Sequence, residues 1–215
     1  MKYKNILFDL DGTIVKSEKG IFNSIRHALK EYSFENISDE KLLPFIGPPL
    51  IDSFQKEFDF NEEKAMEVVG KYREHYSETG LFENEIYNGI EELLNQLHEK
   101  CQLFIVTTKP QPFAEKILAH YDLKKLFKKI YGPTFDGKHN DKRELMHFAL
   151  EDSNLNPSDC LMIGDRFYDM EAAAVNHVDA LGVLYGYGDK KELLESGALT
   201  TASNAEEILA FIKQR

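Results

Sequence analysis

The sequence has only two cysteines in 215 residues, Cys101 and Cys160. That leaves no disulfide framework and points to a reducing cytosol. It also lacks a basic excess: 26 Lys and Arg stand against 37 Asp and Glu, a formal net charge of −11. Without a basic stripe, nucleic-acid polymers and anionic membrane surfaces are not expected as partners. Long hydrophobic runs are missing too. The apolar stretch in MKYKNILFDLDG is too short for a signal peptide, and nothing later approaches the roughly 20 apolar residues that span a bilayer. No internal repeat or low-complexity tract is present. What remains is a chain long enough to bury most of its apolar surface. It is expected to be cytoplasmic, monomeric or dimeric, and built as one large domain or as a domain with an insertion.

Two textures follow along the chain. Ile6, Leu7 and Phe8 read as a short buried strand, and from about residue 82 apolar runs alternate with helical patterns. LFIVT (103–107), CLMIGD (160–165) and ALGVLYG (180–186) read as strands. Between them, NGIEELLNQLHEK reads as a helix capped by Asn88, PFAEKILAHY as one with Pro112 in its first turn, and DKRELMHFALED as one opened by Asp141 and Glu144. Strands alternating with helices predict an α/β fold, a doubly wound parallel sheet covered on both faces.

Residues 16 to about 81 contain no convincing strand. Ile21, Ile25, Ala28, Leu29 and Tyr32 follow helical spacing, as do Val68, Val69, Tyr72 and Tyr76. The block reads as a small α-helical bundle (16–81) inserted into a Rossmann-like core made of 1–15 and 82–215. Within it, FIGPPLIDSF is the one stretch that reads as a shaped loop, because Gly47 permits unusual backbone angles and Pro48 and Pro49 stiffen the chain.

The first strand runs into Asp9 and Asp11, and buried strands do not end in unpaired charge without cause. Gly12 lets the chain turn, so both carboxylates can reach the cleft beyond the carboxyl ends of the strands, where ligands bind in such sheets. Another strand ends in Gly164-Asp165, followed by Asp169. Four acidic residues converging at one edge call for a cation, and hard oxygen ligands suit Mg²⁺. Thr107 and Thr108 end a third strand with hydroxyl and amide donors. A metal, carboxylates, a hydroxyl and a lysine are what phosphoryl transfer needs. Thr107 also suits a strand end as a plain β-former, Asp169 could cap the helix of MEAAAVNH, and Lys109 and Arg166 read as solvated charges near the cleft.

These residues resemble the haloacid dehalogenase-like hydrolases, specifically their phosphoglycolate phosphatase-like branch. FDLDGTIV looks like the family's first motif, VTTKP its second, a lysine opening a later helix its third, and GDRFYDM its fourth. The order and spacing extend over nearly the whole chain, and the helical block falls where this branch carries its cap domain.

The resemblance implies a Mg²⁺-dependent phosphatase acting on a small phosphomonoester. Asp9 would be the nucleophile and Asp11 the general acid and base. Mg²⁺ would be held by Asp9, the backbone carbonyl of Asp11 and Asp165, with Asp169 a further ligand or a group just behind them. Gly12, Thr107, the Thr108 amide and a lysine would hold the phosphoryl group, with Gly47 on the cap shaping the substrate site. The lysine is Lys142 rather than Lys138, since Lys142 starts the helix. Two departures bear on substrate: Lys16 stands where many relatives carry an Asp, and the second motif reads Thr-Thr rather than Thr-Asn. Phosphoglycolate is the expected ester, with a nucleoside monophosphate (a 5′-nucleotidase activity) as the close rival. A sugar phosphomutase and, from another class, a phospho-accepting receiver domain use similar parts. The receiver would need neither Asp11 nor a cap.

Overall fold

The computed structural model describes residues 2–215, which form two compact units. One comprises residues up to Lys16 together with Ile86–Arg215, and the other is Ser17–Glu85. The short segments β2 (Val15–Lys16) and β3 (Glu85–Ile86) lie where the chain passes from one unit to the other.

The larger unit holds a six-stranded sheet of β1 (Asn5–Phe8), β4 (Gln102–Val106), β5 (Phe127–Tyr131), β6 (Cys160–Gly164), β7 (Asp179–Val183) and β8 (Thr200–Ala202). The spatial order is β5-β4-β1-β6-β7-β8, with every pairing parallel. All four residues of β1 and all five of β6 are buried, as expected of strands covered on both faces. In this unit the helices are α5 (Ile90–His98), α6 (Gln111–His120), α7 (Lys142–Asp152), α8 (Phe167–Val175), α9 (Lys190–Glu195) and α10 (Ala205–Lys213). Leu7, Phe104 and Met162 from the sheet share one core cluster with Leu145 and Met146 of α7 and Met170 of α8.

The sequence does not reveal β5 or β8. Lys128 and Lys129 are exposed in β5, which interrupts its apolar run, and β8 has only three residues. ALGVLYG is a strand only to Val183, and the segment beyond it is a loop. Asn88 does not cap α5. Gly89 occupies that position at φ +77°, where glycine is the residue that fits.

The smaller unit is helical, with α1 (Glu18–Lys30), α2 (Asp39–Leu42), α3 (Leu50–Phe58) and α4 (Glu62–Glu78). Ile21, Ile25, Ala28 and Leu29 of α1 are buried, as are Val68, Val69, Tyr72 and Tyr76 of α4. Phe45, Phe54, Phe58 and Phe60 form an aromatic cluster. Where the sequence ends the block at residue 81, the unit runs on to Glu85, because the Gly20 amide donates to the Glu83 carbonyl at 3.0 Å and holds that segment to α1. Gly47 has φ +106°, and Pro49 is the residue that precedes α3.

Candidate active site

The site lies beyond the carboxyl ends of β4, β1 and β6, three neighbours in the sheet, so it is assembled by pairing distant parts of the chain. Asp9 follows β1 directly, and its amide donates to the Ile163 carbonyl at 3.0 Å, continuing the ladder. Asp165 follows β6 and is fully buried, as is Asp169 in the first turn of α8. One oxygen from each of Asp9, Asp165 and Asp169 lies within 4.8 Å of the others.

Close backbone packing makes this convergence possible. Gly12 has φ +82°, and a Cβ there would strike the Asp165 carboxylate, so glycine supplies both the turn and the approach. Asp165 accepts from Thr13 Oγ1 at 3.2 Å and from the Tyr187 amide at 2.8 Å. The Tyr187 contact comes from the loop after β7, whose first residues, 184–186, the sequence reads as strand. That loop carries Gly186, whose Cβ would also strike Asp165.

Asp169 is not the cap of α8. Arg166 holds that position, and Asp169, three residues on, accepts from the Arg166 amide at 3.0 Å while its own amide donates to the Arg166 carbonyl. The other Asp169 oxygen faces Lys142, so the carboxylate closes the helix start and belongs to the acidic cluster at once.

Lys142 is the first residue of α7, fixed there by Asp141, whose carboxylate accepts from the Arg143 amide at 2.8 Å. Its ammonium is buried, 3.0 Å from Asp9 Oδ1 and ion-paired with Asp169. Burial alone would lower the Lys142 pKa, but the Asp169 and Asp9 charges outweigh it and the net direction is up. Lys138, the other lysine considered, is exposed.

One ammonium does not balance three buried carboxylates. Burial, with the charges of Asp169 and Asp9 adding to it, pushes the Asp165 pKa well above the carboxylate range. Burial also pushes Asp169 up to about 6 against the pull of Lys142. Buried carboxylate oxygens short of positive charge fit a hard divalent cation, which would relieve that strain.

The Asp11 carboxylate stands outside the triad. Its Oδ2 accepts from Lys109 Nζ at 2.7 Å, and its Oδ1 is buried without a hydrogen-bond partner. Neither Lys109 nor Arg166 is a solvated charge. Lys109 is buried against Asp11, and Arg166 donates to Glu192 at 2.9 Å. A lysine after a strand end carries no sequence signal of burial, because its counter-ion is 98 positions away. Thr107 is buried at the end of β4, its amide donating to the Tyr131 carbonyl at 3.0 Å and its Oγ1 accepting from the Lys109 amide at 3.2 Å. Thr108 comes next, half-buried. Gly47 lies in the helical unit.

A family model described as haloacid dehalogenase-like hydrolase matches residues 6–183. A protein of Pseudomonas aeruginosa named 5′-nucleotidase is 41% identical over 90% of this chain and 88% of its own length. Tyrosine-protein kinase PtkA of Mycobacterium tuberculosis is 31% identical over 94% of this chain and 69% of its own. The crystal structure of a protein titled a predicted phosphatase, from Clostridium acetobutylicum, superposes with a TM-score of 0.94 at 36% identity and covers 100% of both chains. Motif order, buried acidic triad and these likenesses agree, and the chain belongs to the haloacid dehalogenase-like hydrolases, within their phosphatases.

Proposed function

We propose that the protein is a Mg²⁺-dependent phosphomonoesterase working through an aspartyl-phosphate on Asp9. The supporting observation is the buried triad of Asp9, Asp165 and Asp169 spanned by Lys142 at the end of the central strand. Mg²⁺ would be held by Asp9, Asp165 and the backbone carbonyl of Asp11, with Asp169 beside them, and when bound it supplies neutralisation of phosphoryl charge.

Asp9 attacks phosphorus, and the bond to the ester oxygen breaks as the bond to the carboxylate oxygen forms. Asp11 gives a proton to the departing oxygen. Water then attacks the aspartyl-phosphate and passes its proton to Asp11, which restores both residues and releases phosphate. Lys142 orients Asp9 and offers positive charge to the phosphoryl oxygens, while the Thr107 hydroxyl and the Thr108 amide hold them and Gly12 supplies the turn that brings the chain past the phosphoryl site. The helical unit acts as the cap, with Gly47 and the segment leading into α3 selecting the leaving group.

The Pseudomonas relative's name makes nucleoside 5′-monophosphates the first esters to try, ahead of phosphoglycolate. The name of PtkA raises a second reading, in which a hydroxyl other than water accepts the phosphoryl group. Two buried free cysteines support a cytoplasmic location.

The test is a phosphate-release screen over nucleoside monophosphates, phosphoglycolate, sugar phosphates and pyrophosphate, with and without Mg²⁺. Release from a monoester that stops on chelation, with a phosphoryl mass increment trapped on the peptide carrying Asp9, is the expected result. Release that persists in excess chelator or in Asp9→Asn overturns it.

A further inference from the structure

Lys109 is unused in the mechanism above, yet it is buried and ion-paired within the site. Its side chain is 5% exposed, and its ammonium donates to Asp11 Oδ2 at 2.7 Å. Burying an ammonium is costly unless it is well paired, so its target matters. The backbone that carries it is pinned on both sides. The Lys109 amide donates to Thr107 Oγ1, and the Gln111 amide donates to the Pro133 carbonyl at 3.0 Å. Gly132 packs against the Lys109 carbonyl so closely that a Cβ would not fit. The other Asp11 oxygen, Oδ1, is buried without a hydrogen-bond partner. An ion pair to one carboxylate oxygen fixes the rotation of the group.

We propose that Lys109 is a positioning residue that holds the Asp11 carboxylate, through Oδ2, in the orientation in which it exchanges protons with the substrate. This rests on the acid and base role given to Asp11 above. In the first half-reaction the phosphorus bond to the leaving oxygen breaks as that to Asp9 forms, and the proton on the Asp11 carboxyl passes to the leaving oxygen. In the second, water oxygen bonds to phosphorus, the bond to Asp9 breaks, and the water proton returns to the Asp11 carboxylate. Lys109 neither gives nor takes a proton. It keeps the carboxylate in one orientation for both halves.

The experiment compares kcat/KM for p-nitrophenyl phosphate, whose leaving group needs no acid, with kcat/KM for the best alkyl phosphate from the substrate screen. This ratio reports only steps through aspartyl-phosphate formation. Lys109→Met should lose about 30-fold on the alkyl ester and under about threefold on the aryl ester, because a misplaced acid loses part of the 10²–10⁴-fold it supplies. The loss should fall in kcat more than in KM. Lys109→Arg should recover most of it, and Lys109→Met with Asp11→Asn should be no worse than Asp11→Asn alone. Lys109→Gln, also neutral, is read in the same way if the Met variant does not fold. Equal losses on both esters, or additive losses in the double variant, overturn the proposal while leaving the Asp11 reading intact, provided Asp11→Asn itself loses more on the alkyl ester. Equal losses on the two esters in Asp11→Asn overturn both.

Discussion

The Lys142 ammonium lies 3.0 Å from Asp9 Oδ1 and is ion-paired with Asp169 as well, so a single buried cation joins the end of β1 to the first turn of α8. Removing it strands three carboxylates in a buried site. Lys142→Met should therefore lower stability in chelator by about 3–5 kcal/mol, the usual cost of breaking a buried pair, and saturating Mg²⁺ should return part of it. Urea midpoints with and without metal measure this, and a loss under about 1 kcal/mol in chelator would contradict it. Lys138→Ala, on an exposed loop, should leave activity near wild type. If it is the more damaging change, the choice of lysine is wrong.

Asp9→Asn should abolish turnover with the fold intact, since an amide is nearly isosteric but a poor nucleophile. Steady-state kinetics with a circular-dichroism control measure this. Activity within about tenfold of wild type would rule out Asp9 as the attacking group.

Metal binding should show in stability as well as in rate. At about 100 times its dissociation constant, a cation that binds only the folded chain adds roughly 2.7 kcal/mol. Mg²⁺ should raise the urea midpoint of wild type and fail to do so in Asp165→Asn. Ca²⁺ should bind and inhibit, because a larger ion accepts more ligands and lets Asp9 bind it in a misaligned way. An identical Mg²⁺ response in the Asp165 variant would remove that residue from the metal site.

His75 of α4 accepts or donates at Ser24 Oγ, 3.0 Å away, and stacks on His27 with ring centroids 4.3 Å apart. Burial, with the His27 charge adding to it, lowers its pKa below 6.5 against the opposite pull of Glu83 and Glu78. A depressed folded value means that the unfolded chain binds the proton more readily. The stabilisation is thus complete above pH 6.5 and is lost as pH falls through the folded value. Urea midpoints should fall more steeply from pH 7 to 5 in wild type than in His75→Gln. Equal slopes would show that this imidazole does not contribute.

Gly47, at φ +106°, cannot accept a side chain without strain. If the segment it shapes selects the leaving group, Gly47→Ala or a substitution at Leu50 should change relative kcat/KM among natural esters by more than about tenfold, or roughly 1.4 kcal/mol. A small aryl phosphate should change much less. Uniform loss over all esters would make the loop a plain connection between helices.

Much of this was legible in the chain. The apolar runs of β1, β4 and β6 mark strands buried on both faces. The carboxylates and hydroxyls at their ends follow directly, because a parallel sheet places the carboxyl ends of its strands at one edge. The helical periods of α1 and α4 were equally plain. Local pattern decides such features, since each depends on residues within a few positions of one another.

Other features depend on partners far away in sequence, and only the tertiary structure decided them. Lys109 reads as a surface charge until Asp11 is set beside it, and the motif that singles out Lys142 does not say that Asp9 and Asp169 both pair with it. Asp169 satisfies a helix terminus and an ion pair at once, which a single pattern cannot express. The Tyr187 amide reaches Asp165 only because β7 packs beside β6 and delivers its loop to that edge. Charge is ambiguous in a sequence because burial, not residue type, sets whether it must be paired, and burial is a property of the assembled chain.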